Sequence, residues 1–188
     1  MSKLIVLMSV LAAACVAPAE DTAETTQASK VECPEGVPAT IAPAADQDLD
    51  FATDAIGVQK YTCSAAGAWV FVAPDADVFR DGHWVIHHYA GPTWKWKDGS
   101  AVVAARLAGA TVDPTAIPWL LLGVVSHGSI SGKLDDITSI QRVTTTGGNA
   151  PAGACTPGAN VDVPYTAGYL FYRTKTNHPE RNTRCGAP

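Results

Sequence analysis

The sequence predicts an all-β domain, a single antiparallel β-sandwich or barrel with long loops, preceded by a signal peptide and a flexible tether. Three observations carry this expectation. From residue 31 onward the chain holds several short runs rich in Val, Ile, Trp and Tyr, each bounded by Gly, Pro, Asn or Asp. No long stretch keeps its apolar residues at helical spacing. The 16 Gly and 13 Pro among 188 residues supply the turns that such folds require.

Each element follows from a local pattern. "IGVQKYTCS" (56–64) and "AWVFVA" (68–73) are separated by "AAG" and read as a hairpin. "HWVIHHYA" (83–90) follows the turn "RDG". "AGPTW" predicts a bend, because Gly91 admits unusual φ and the residue before Pro92 is biased away from the helical region. "TWKWK" and "SAVVAARL" flank Asp98-Gly99, a strong hairpin signal. "IPWLLLGVV" (117–125) is apolar without alternation, which fits a strand buried on both faces or a short buried helix. "DDITSIQRVTTT" reads as a strand with Ile137 and Ile140 on opposite faces. "GGNAPAGACTPGAN" is a loop, and "VDVPYTAGYLFYRTK" closes the domain as a strand with a break expected near Pro164 or Gly168.

The first 15 residues carry an address. "MSKLIVLMSVLAAAC" has an early cation at Lys3, an apolar run from Leu4 to Val10 and small residues before Cys15. It is too short for a stable membrane-spanning helix. "LAAAC" resembles a bacterial lipobox, which would place a lipid on Cys15 and anchor the protein to a membrane; cleavage after "APA" at Ala19 is the rival. Lipidation is favoured on two grounds. Residues 16–30 are polar, as a tether should be. Removing Cys15 also leaves four cysteines, an even number suited to an oxidising compartment. These four, Cys33, Cys63, Cys155 and Cys185, allow three pairings, of which Cys63 with Cys155 and Cys33 with Cys185 are expected. The domain then spans 31–188, and the expected location is the cell envelope, with secretion or the periplasm as alternatives.

Composition excludes some classes. Thirteen Lys plus Arg against 18 Asp plus Glu give a net charge of −5, no footprint for nucleic acid. No glycine fingerprint follows a strand in a βαβ pattern, so no cofactor is expected. "GSISG" places Ile130 at its centre, so a G-x-S-x-G nucleophile motif is absent, and no catalytic residues are assigned.

Two groups of side chains carry candidate chemistry. His83 and His87 share a face of an ideal strand, and with His127 from a later turn they would give three imidazoles for a metal-dependent enzyme. Structural histidines are the plainer reading. Trp94 and Trp96 also share a face, with Lys95 and Lys97 opposite. Their plainer role is core. The functional alternative is an exposed platform for a glycan or a small apolar ligand, with His87, His88, Tyr89 and Asp98 at its rim. Trp69, Trp84 and Trp119 lie in apolar runs and are expected in the core. The leading expectation is an exported binding or structural module without catalysis, and the metal-dependent enzyme is the alternative.

The joint occurrence of "GVQKYTC", "AWVFVAP", "HYAGPTWKWKDGSAVV", "IPWLLL", "ITSIQRVTTTGGNAP" and "VPYTAGYLFY" resembles the DUF3455 family of secreted bacterial and fungal proteins. The resemblance covers about Val37 to Tyr172. It implies export and supports the fold, and it implies no mechanism.

Overall fold

The computed structural model describes residues 33–175 and 183–186. The expected signal peptide, Cys15 and the tether at 16–30 lie outside the described residues. Eight strands form one closed antiparallel barrel in which each strand pairs with its sequence neighbours and the last pairs with the first. They are β1 (Gln47–Cys63), β2 (Trp69–Arg80), β3 (His83–Tyr89), β4 (Thr93–Trp96), β5 (Ala101–Ala110), β6 (Trp119–His127), β7 (Ile137–Gly147) and β8 (Asn160–Thr174). Of the two architectures open to the sequence, the barrel is the one formed. Closure removes every sheet edge.

The apolar run 119–127 is a strand, β6, with Leu120 and Leu122 inside and Trp119 and Leu121 outside. Strand β8 runs unbroken through Pro164, which lies opposite Val58 and whose carbonyl accepts the Gly148 N–H. The short spacer at 97–100 closes the β4–β5 hairpin, with Gly99 at φ +97°, where an L side chain would be strained.

Bulges decide which side chains face the interior, and they correct three facing expectations. Val85 is an extra residue between the pairs Val78–Ile86 and Phe79–Trp84. The bulge breaks the alternation, so His83 pairs with Arg80 while His87 pairs with Asp77 on the outside. It also turns Trp84 outward, 45% exposed, where its Nε1–H donates to Asp77, so Trp84 is not core. A second bulge, at Thr138 between Ile137–Arg173 and Ser139–Tyr172, puts Ile137 and Ile140 into the same interior cluster rather than on opposite faces.

The interior is apolar: Phe51, Val78, Ile86, Trp94, Trp96, Val102, Ile140, Tyr169 and Phe171 meet within it. Phe51 stacks on Phe171 with ring centroids 4.4 Å apart and meets Trp96 edge-on at 5.4 Å. A smaller cluster lies on the outer face, where Leu49, Trp119, Val143, Leu170 and Tyr172 are covered by Ile41 and Cys185. The disulfide Cys33–Cys185 joins the two segments that form this cover, and Cys63–Cys155 ties the β7–β8 loop to the end of β1. Two disulfides fit an oxidising, extracytoplasmic compartment. No helix among the described residues is long and apolar enough to cross a membrane. Membrane barrels pair an apolar outer band with a polar lumen. Here the interior is apolar, while Lys60, Asp75, His87 and Lys95 occupy the wall outside it.

Candidate functional site

One end of the barrel is plugged. Leu134 is fully buried there, and Lys133 binds Asp50 at 2.6 Å with its ammonium 4.8 Å from the Phe51 ring centroid. At the other end, where the β1–β2, β3–β4 and β5–β6 connections gather, the lumen opens into a pocket of about 420 Å³. That volume falls within the range of roughly 300–1,000 Å³ usual for small-molecule sites.

The pocket walls are apolar and aromatic: Phe71, Val72 and Pro74 from β2, Trp94 from β4, Leu120 and Leu122 from β6. Val72 is itself a bulge residue, lying between the pairs Lys60–Ala73 and Tyr61–Phe71. Phe71 and Val72 are 49% and 57% exposed, an apolar rim on the opening. The rim opposite is held firmly. Arg142 donates from Nε and Nη2 to the Pro118 carbonyl, Thr145 donates to the Ile117 carbonyl, and the Ile117 N–H reaches Gly147. Tyr61 donates its hydroxyl proton to the Gly148 carbonyl at 2.7 Å. The mouth is therefore formed before any ligand arrives.

His88, Trp94 and Tyr169 make the aromatic part of the wall. His88 stacks on Trp94, and each meets Tyr169 edge-on. Burial pushes the His88 imidazole down to about 3, despite its hydrogen bond to the Thr93 carbonyl, so the ring is neutral. A neutral ring that donates from Nδ1 to Thr93 keeps Nε2 as an acceptor. Burial also holds the Tyr169 hydroxyl above its ordinary range, so it stays protonated.

The six residues predicted as one binding surface do not share one. His88, Trp94 and Trp96 face inward, and the two indoles are only 1% and 9% exposed. An exposed sugar-stacking platform is excluded by that geometry, since a sugar needs the open face of a ring. Of the three, His88 and Trp94 line the pocket, and Trp96 packs deeper against Phe51. His87 and Tyr89 lie outside the barrel, 5.1 Å apart. His87 and Lys60 both hydrogen-bond Asp75 and hold its carboxyl below the usual carboxylate range.

Asp98 belongs to the plugged end. Burial alone would raise its carboxyl, yet hydrogen bonds from the Ser100 hydroxyl and the N–H groups of Lys133 and Ser100 hold it low. Gly132 is needed beside it, because a Cβ there would lie 2.3 Å from Asp98 Oδ2.

The alternative metal set is not assembled. His83 and His87 are separated by the Val85 bulge, and His127 bonds the Ile137 carbonyl through Nε2. No group of three or more His, Cys, Asp or Glu side chains among the described residues is placed to hold a metal ion. Sequence reading missed Gln59, Arg106 and Arg142, which all line the pocket. Their signal was weak: single polar residues inside strands, whose inward direction depends on the bulges.

Comparison with known proteins found no match among curated proteins and none among solved structures. A family model described as a protein of unknown function, DUF3455, matches residues 79–173, from the end of β2 to the end of β8 and so including most of the pocket wall. The chain belongs to the DUF3455 family.

Proposed function

We propose that this protein is an exported, non-catalytic binding module that holds a small apolar molecule inside the barrel, and that a lipid on Cys15 anchors it to the cell envelope. The observation that carries the binding reading is the pocket itself. A barrel of eight strands is wide enough to be filled by its own side chains or to keep room for one small ligand. Here the plugged end is filled and the other end is not. The empty end is walled by aliphatic and aromatic groups, rimmed by exposed Phe71 and Val72, and braced by hydrogen bonds that need no ligand. Exposed apolar side chains around an opening lower the cost of bringing an apolar molecule in from water.

Nile red, a neutral apolar dye, tests this reading. Saturable fluorescence enhancement, displaced by decanol, is expected with the native chain. Leu120→Trp, which fills the lumen from β6, is expected to weaken binding roughly tenfold or more. A native chain without saturable binding, or a variant that binds as well as the native chain, would overturn the proposal.

A further inference from the structure

The polar groups of the pocket are distributed unevenly. Two arginines, Arg106 and Arg142, line it, and no Asp or Glu does. In a chain of net charge −5 this is a local reversal of sign. Neither guanidinium meets a carboxylate within ion-pair distance among the described residues, although Arg80, Lys60, Lys133 and Arg173 elsewhere all do. Arg142 spends two donors on the Pro118 carbonyl.

Two further donors belong to the wall. Trp94 Nε1 and Gln59 Nε2 are buried without a hydrogen-bond partner, on residues that are 1% and 2% exposed and line the pocket. A buried donor left unpaired costs about 1–3 kcal/mol, which is why such groups usually have partners. The side-chain acceptors that line the pocket, His88 Nε2, the Gln59 amide oxygen and the Tyr61 and Tyr169 hydroxyls, are all neutral. The mouth is therefore positive, with Arg142 half-buried and Arg106 exposed at its edge, and a charge-assisted hydrogen bond from either guanidinium is stronger than one between neutral groups.

We infer that the pocket selects an amphipathic organic anion, its apolar body among Leu120, Leu122 and Trp94 and its acid group held by Arg106 and Arg142. The inference rests on the lumen being a binding site. It adds the sign of the ligand: a neutral molecule makes no ion pair with either guanidinium, and a cation is repelled by them.

Three probes of equal chain length separate the two readings: decanoate, decanol and decylamine, titrated calorimetrically at neutral pH. Decanoate is expected to bind roughly tenfold or more tightly than decanol, with decylamine weakest. In Arg106→Gln the preference for decanoate is expected to shrink to about threefold or less while decanol binding holds; in Arg142→Gln, where both ligands lose affinity as the rim loosens, the ratio between them is expected to shrink likewise. Arg106 makes no hydrogen bond to another described side chain, so its replacement tests charge without loosening the rim as Arg142→Gln does. Decanol binding as tightly as decanoate, or a preference unchanged in both variants, overturns the anionic ligand and leaves the apolar pocket standing. Failure of all three probes to bind overturns the pocket reading and this inference with it.

Discussion

His88 lies flat on Trp94, with ring centroids 4.0 Å apart and planes only 14° from parallel, because β3 and β4 pair these two residues directly across the hairpin. The stack seals the imidazole from water and fixes its charge. An unfolded His88 takes up its proton near the ordinary value of 6.5, whereas the native ring waits until about 3. Between those values the unfolded chain binds a proton that the native one does not. Stability is therefore complete above 6.5 and falls with pH below it, by about 1.4 kcal/mol per pH unit. From pH 7.5 to pH 5 a loss of about 2 kcal/mol in urea unfolding is expected. Asp75, Asp98 and Asp113 are held below 3.8 and make their contribution at lower pH. His88→Gln should remove most of the loss, and an equal slope in the variant would place its cause elsewhere.

Gln141 fastens both terminal segments to the barrel. Its Nε2 donates to the carbonyls of Ile41 and Cys185, at 2.6 and 3.0 Å, and its Oε1 accepts from the Tyr172 hydroxyl. Gln141→Leu leaves those three groups buried and unpaired, so a loss of about 2–4 kcal/mol in unfolding free energy is expected. The same variant should become easier to cleave by protease between residues 33 and 46. A loss under about 0.5 kcal/mol would show that water replaces the amide.

The anchor is read from mass. Intact mass spectrometry of protein from the membrane fraction of an exporting bacterial host should show a chain beginning at Cys15 with a diacyl or triacyl increment. Cys15→Ala should then appear unlipidated and outside the membrane fraction. A native chain that begins at Glu20 without a lipid would mean ordinary cleavage after Ala19.

Much of this architecture was legible along the chain, and the reasons are local. The Asp98-Gly99 turn, the Gly91-Pro92 bend and the alternation of Trp94, Lys95 and Trp96 each depend on residues within a few positions of one another. Ile137 with Ile140, His83 with His87, and Trp84 read differently because a bulge arises from pairing with a neighbouring strand. One extra residue on one side of a ladder reverses the facing of everything beyond it. Arg106 and Arg142 were hidden for a related reason: a charged residue within a strand looks solvated until the strand is known to curve around a lumen.

The sequence by itself determined that this is a disulfide-bearing all-β domain, and that Trp94 and Trp96 share a face, since strand period, turn chemistry and cysteine parity act over short distances or as simple counts. Only the tertiary structure decided that the sheet closes, that one end is filled and the other open, and that His88 with two arginines lines the opening. The physical reason is that closure joins β1 to β8 across 98 to 125 residues of chain, from Thr62–Asn160 to Asp48–Arg173. Which side of a strand becomes the lumen is set by that pairing and by the bulges within it.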